Sequence, residues 1–132
     1  MDKQLKSMDR VLKALADPTR LRILGLLQQD AVCVCHIHDS LKISQPKASR
    51  HLAYLRRAGV VSSEKRGLWV YYRLASQPTP AVQAVLDAAI ESTAAMTVTA
   101  QDAKRLEREM ACAPEAVRLF RSRASLVAGD KV

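Results

Sequence analysis

What this sequence has little of narrows it first. No apolar run approaches the roughly 18 residues that a membrane-spanning helix needs, so no membrane partner is expected. The opening decapeptide, MDKQLKSMDR, is polar and lacks the apolar core of a secretory signal. Cysteine is scarce, with three in 132 residues; without an export signal these read as reduced thiols of a cytoplasmic protein, not as a disulfide framework. Acid is the minority charge, 13 Asp and Glu against 21 Lys and Arg, and the net charge of +8 points to a polyanionic partner, nucleic acid first. There is neither an internal repeat nor a low-complexity tract.

A hydrophobic fraction of 48% argues against disorder, and 132 residues make one domain with a modest core, small enough to lean on a partner subunit. Leu5, Met8, Leu12 and Leu15 recur at three- and four-residue spacing and give a first helix an apolar face. Asp17 can cap a second helix over 19–29, and Pro18 suits its first turn, where a missing N–H costs nothing. Leu21, Leu24 and Leu27 or their neighbours form its buried side. A third, short helix spans 32–41, residues 42–44 make a tight turn, and Ser44 can cap a fourth helix over 45–59 that Gly59 stops. The period then becomes strand-like: residues 60–75 read as a hairpin around Lys65, Arg66 and Gly67. A linker at 76–80 precedes an apolar helix with Val82, Val85, Leu86 and Ile90 on one stripe. Thr99 can cap a further helix to residue 111, Pro114 breaks it, and residues 115–126 read as a last helix.

Three helices, a short turn, a fourth helix and a hairpin, in that order, predict a mainly α fold with a small β-hairpin: a winged helix-turn-helix. The charges agree. Between residues 44 and 73 stand Lys47, Arg50, Arg56, Arg57, Lys65, Arg66 and Arg73 against the single acid Glu64. At about 100° per residue, Ala48, Leu52 and Leu55 cluster on one side of the fourth helix, with Lys47, Arg50, Tyr54 and Arg57 roughly opposite. An apolar side for the core and a basic side outward suit a helix in the major groove. Ser44, Gln45, Lys47, Ser49, Arg50 and His51, near the start of that helix, are the candidate DNA contacts, and Lys65 and Arg66 on the hairpin are candidate phosphate contacts. Trp69, Tyr71 and Tyr72 read as hairpin and core packing.

Three blocks, LADPTRLRIL, SQPKASRHLAYLRRAGVV and RGLWVYYRL, resemble the arsenic-repressor (ArsR/SmtB) family of metal-sensing bacterial transcription repressors. The resemblance covers roughly residues 5–95 and is specific, because the blocks occur in the right order. It implies a winged-helix homodimer built on the first helix and the helix after the wing. It also implies that operator DNA with an inverted repeat is held without inducer and released when metal binds. The expected division is a DNA-binding and dimerisation domain over 1–96 and a helical extension over 97–132, which lies outside the resemblance.

The stretch VCVCHIH carries the second candidate site. The arsenic-responsive branch has Cys-Val-Cys on the helix before the recognition helix, and Cys33-Val34-Cys35 matches it. Many members place a further cysteine three residues on; here that position is His38. As(III) and Sb(III), the implied inducers, are thiophilic centres that favour three thiolates. Cys112 is the remaining thiol and, with His38, a candidate third ligand; no organic cofactor is implied. His36 and His38 otherwise read as exposed helix residues. In a regular helix the side chains of residues 33 and 35 point about 200° apart, so chelation is expected to distort or unwind the start of that helix. Asp87 and Glu91 stand where zinc-sensing relatives place ligands, but that helix has no histidine, so they read as a solvated face. Sensing of zinc, cadmium or copper, or of thiol oxidation, are the rival inputs. A thiol enzyme is the rival class, and no oxyanion-forming loop or orienting third group supports it.

Overall fold

A computed structural model describes residues 2–111 of the chain; Cys112 and the helix expected over 115–126 lie outside the described residues. The elements are α1 Lys3–Leu15, α2 Pro18–Leu26, β1 Val32–Cys33, α3 Val34–Leu41, α4 Gln45–Arg57, β2 Val61–Arg66, β3 Trp69–Leu74, α5 Pro80–Ala94 and α6 Thr97–Ala111.

The caps read from the sequence are in place. Asp17 accepts from the Arg20 N–H at 3.0 Å, with Pro18 in the first turn of α2, and Ser44 accepts from the Lys47 N–H at 3.2 Å at the start of α4. Thr99 caps nothing at the start of α6. That helix begins earlier, and the buried Thr99 hydroxyl faces the carbonyls of Thr93, Ala94 and Met96 around the end of α5, any one of which can accept its proton.

The hairpin pairs Val61 with Leu74 and Arg66 with Trp69, so its turn is Gly67–Leu68 and Lys65 and Arg66 belong to β2. Gly67, at φ +60, takes the first central position, where a two-residue hairpin turn needs a residue free of a Cβ. A third strand was not foreseen: β1 pairs antiparallel with β3, Val32 to Tyr72 and Cys33 to Tyr71, giving the order β1-β3-β2. Two residues are too few for a period, so nothing local announces this strand.

One core runs through the chain, joining Val11 and Leu15 of α1, Ile23 and Leu24 of α2, Ile37 and Leu41 of α3, Leu52 and Leu55 of α4, Val82, Leu86 and Ile90 of α5, and Leu106 of α6. On α1 the buried residues are Val11, Ala14 and Leu15, while Leu5 is 56% and Leu12 50% exposed. The helix therefore carries two apolar stripes, and among the described residues the core takes mainly one of them.

Candidate DNA-reading face and thiol site

Helix α4 stands on Ala48, Leu52 and Leu55, which are fully buried and face the core. That seating turns Gln45, Lys47 and Arg50 out to solvent, with Ser49 half-buried beside them. Ser44 is exposed but its hydroxyl is committed to the cap. His51 is not turned outward with this group. Its ring lies against the start of α2, Nδ1 3.5 Å from Arg20 Nη1 and 3.9 Å from Asp17 Oδ1. Burial holds the imidazole below its ordinary pKa, as do the charges of Arg20, Lys47 and Arg50, and the Asp17 carboxylate only partly offsets them.

Arg20 is the residue that sequence reasoning passed over. Its Nε donates to the Ala14 carbonyl at 2.7 Å and its Nη2 to that of Lys13 at 3.1 Å, closing the end of α1. Its guanidinium also lies 4.1 Å from the centre of the Tyr54 ring on α4. One side chain thus fixes α4 against the α1–α2 corner. The DPTR motif signalled a cap, but nothing in it signalled the tyrosine. On the wing, Lys65 and Arg66 are exposed, and Arg66 Nε stands 3.4 Å from Glu64 Oε1. Leu68 at the tip is 95% exposed and Trp69 39%, so Trp69 is not core. Tyr71 is core, buried against Ala31 and Cys33.

The thiols converge. Cys33 Sγ and Cys35 Sγ are 2.8 Å apart, and both cysteines are free. This overturns the expectation of opposed side chains, and the reason is local backbone. Cys33 is the last residue of β1 and the N-cap of α3, at φ −66 and ψ 142, so it is extended rather than helical. The helical 100° step does not apply across that junction, and the extended residue swings its thiol onto the side where Cys35 begins the helix. Cys33 is 1% exposed and Cys35 half-buried. Burial, then the neighbouring Cys33 sulfur, push the Cys35 thiol up to about 12.

His38 is half-buried, with Nδ1 3.4 Å from Asp39 Oδ1, and His36 is half-buried as well. Among the described residues, no three His, Cys, Asp or Glu side chains come together around a metal position. The pair supplies two sulfurs only. Met110, near the end of α6, packs against the cluster formed by Ala31, Cys33 and Tyr71 and flanked by Cys35. Asp87 and Glu91 are exposed on α5.

A three-residue turn between α3 and α4, an outward basic face on α4 and a two-stranded wing define a winged helix-turn-helix protein. Residues 17–63 match the family described as bacterial regulatory proteins of the arsR family. The chain is 43% identical over 83 residues to the arsenic resistance transcriptional regulator ArsR1 of Pseudomonas putida, covering 62% of this chain and 65% of that protein. It is 50% identical over 66 residues to the arsenical resistance operon repressor of Escherichia coli, covering 49% and 56%. The chain thus spans less than two thirds of either relative. Among solved structures it resembles the homodimeric winged helix-turn-helix DNA-binding domain of Mb0332 from Mycobacterium bovis, at a TM-score of 0.59 and 31% identity over 68% of this chain and 81% of that one. The chain belongs to the arsR family.

Proposed function

We propose that the chain is a metalloid-responsive transcriptional repressor, not an enzyme. As a homodimer it holds an inverted-repeat operator, and it releases that DNA when As(III) or Sb(III) binds Cys33 and Cys35. Gln45, Lys47, Ser49 and Arg50 read the major groove, Ser44 and His51 set the start and seat of their helix, and Lys65 and Arg66 meet phosphate. The observation that carries the reading is the pair of sulfurs at 2.8 Å, placed on the helix that a three-residue turn joins to α4. The names of the two curated relatives support an arsenical as inducer.

The burial that raises the Cys35 thiol does not bar such a ligand. A thiol that condenses with a trivalent arsenic hydroxide loses its proton together with the departing hydroxide as water. The third ligand is Cys112, His38, water or a small-molecule thiol.

The mechanism follows from how the two sulfurs are held. Two sulfurs bonded to one centre at about 2.3 Å have their separation and direction set by that centre, so capture ties Cys33 to Cys35. Cys33 is anchored by the pairing of β1 with β3; Cys35 rides on α3. The constraint that the ligand imposes therefore falls on α3, and through the turn on the aim of α4.

The test is release of labelled operator by arsenite. Cys33→Ser and Cys35→Ser should bind DNA about as well as the parent and lose most of the release, and Cys112→Ser against His38→Ala identifies the third ligand. If Cys35→Ser still lets go of DNA at the parent's arsenite concentration, the site is wrong. Release of the parent by zinc or cadmium but not by arsenite reassigns the inducer.

A further inference from the structure

We propose that Asp102 and Arg105 of α6, together with Arg22 of α2, are positioning residues for operator recognition: they hold the carboxyl-terminal end of α3 and so aim α4. This rests on the operator-binding reading above, and it gives a role to a helix outside the segment that resembles the family.

The last four carbonyls of a helix have no partner within it. In α3 these belong to His38, Asp39, Ser40 and Leu41. The turn itself takes two of them: the Ile43 N–H donates to the His38 carbonyl at 3.1 Å and the Lys42 N–H to that of Asp39 at 3.2 Å. The other two are taken from outside. Arg105 Nε donates to the Ser40 carbonyl at 2.6 Å, and Arg22 Nη2 to the Leu41 carbonyl at 3.0 Å. Both guanidiniums are gripped by one carboxylate. Asp102 Oδ1 accepts from Arg22 Nη2 at 2.8 Å and from Arg105 Nη2 at 2.6 Å, and Oδ2 accepts from Arg22 Nε at 2.9 Å.

The Asp102 side chain is 1% exposed, and the two arginine side chains are 22% and 24% exposed. A buried carboxylate bridged by two forked cations has little freedom, and the cations sit where the α3 dipole is negative. The same helix also touches the other end of α3, where Met110 packs beside Cys33 and Cys35. Between these points the Ser40 hydroxyl donates to Glu109 Oε2 at 3.2 Å. α6 therefore braces α3 from its thiols to its last carbonyl, and the three residues that follow lead directly into the reading helix.

Phosphate contacts give affinity for any DNA, and base contacts require α4 to be aimed. Loss of the brace should then lower preference for the operator, not general DNA affinity. The experiment uses the full chain and a duplex enriched by the parent from a random-sequence pool, set against an unenriched duplex at one salt concentration. Arg105→Ala should cut the ratio of the two affinities on the order of tenfold, the size of one lost base contact, with binding to the unenriched duplex near that of a Lys104→Ala control on the exposed face of α6. Arg105→Lys, which keeps the charge beside Asp102 without the fork, should fall between.

Amide hydrogen exchange should rise in residues 40–47 of Arg105→Ala and stay at parent level in α5. An unchanged affinity ratio, or faster exchange throughout the chain, would sink the positioning role and leave the repressor reading standing. If the parent enriches no duplex at all, the repressor reading falls, and the positioning role falls with it.

Discussion

At the scale of single residues, His51 shows how a side chain on the reading helix can serve the frame behind it. Its ring is 19% exposed and faces Asp17 and Arg20. Burial makes the charged imidazole unfavourable, so its folded pKa lies below the ordinary 6.5. The unfolded chain then binds the proton more readily than the folded one. Stability from this group is full above the unfolded value and is lost as pH falls below it. Asp17 works in a lower window. Burial raises its pKa, but the Arg20 N–H and the charges of His51 and Arg20 outweigh it, leaving the carboxyl below 3.8, so its contribution is lost only under more acid conditions. Between pH 7 and pH 5 the loss from His51 should come before that from Asp17, while Glu109, whose pKa burial raises, acts in the opposite sense in both proteins compared. Denaturant midpoints should fall across that interval in the parent and fall less in His51→Gln; equal slopes in the two proteins would remove His51 from the acid response.

At the scale of elements, the two ends that frame α4 are closed by the same kind of turn. Gly59, at φ +78, donates to the Arg56 carbonyl at 3.0 Å while Val60 donates to that of Leu55 at 3.0 Å. A Cβ at Gly59 would meet nothing within 4 Å, so the cost of one there is purely conformational. Gly59→Ala should lower stability by about 1 kcal/mol, read as a shifted denaturant midpoint at constant slope. Lys42 occupies the equivalent position after α3 at φ +57, so Lys42→Gly should raise stability by a similar amount. A rise on Gly59→Ala would contradict both assignments.

The wing makes its own prediction. Arg66 stands beside Glu64, a pair too exposed to contribute much stability, and both basic side chains remain open to solvent. Replacing Lys65 and Arg66 together with Ala should shallow the slope of log affinity against log salt by about 2. Lower affinity at an unchanged slope would mean that the wing makes no ionic contact with phosphate.

At the scale of the whole molecule, the unused stripe of α1 is the feature that calls for a second subunit. Leu5 and Leu12 are about half exposed, with Met8 half-buried between them, one face of a helix whose other face is core. Two-fold pairing would bury this stripe and place two copies of α4 on one side of the assembly, matching an inverted repeat. Leu12→Glu should convert a dimer to monomer by light scattering at micromolar concentration and weaken operator binding. It should leave the fold intact, because Leu12 takes no part in the core formed by the described residues. A parent that is monomeric with and without DNA would overturn the dimer.

The sequence by itself determined whatever depends on near neighbours along the chain. The order of the helices, the caps at Asp17 and Ser44, the stop at Gly59, the stripe of Val82, Leu86 and Ile90, and the division of α4 into a core side and a basic side all follow from spacing of a few residues, and the structure has them. The Cys-Val-Cys pair was visible too, but its geometry was not. Whether Cys33 is helical or extended was decided by its pairing with Tyr71, a ladder contact between distant parts of the chain that leaves no periodic trace. The same holds for the inward turn of His51, the seat of Arg20 on Tyr54, and the grip of Asp102 on Arg22 and Arg105. Each joins side chains whose partners are chosen by packing in three dimensions. Short-range backbone preference could announce the elements; only their assembly could bring two thiols together at one end of α3 and two guanidiniums to the other.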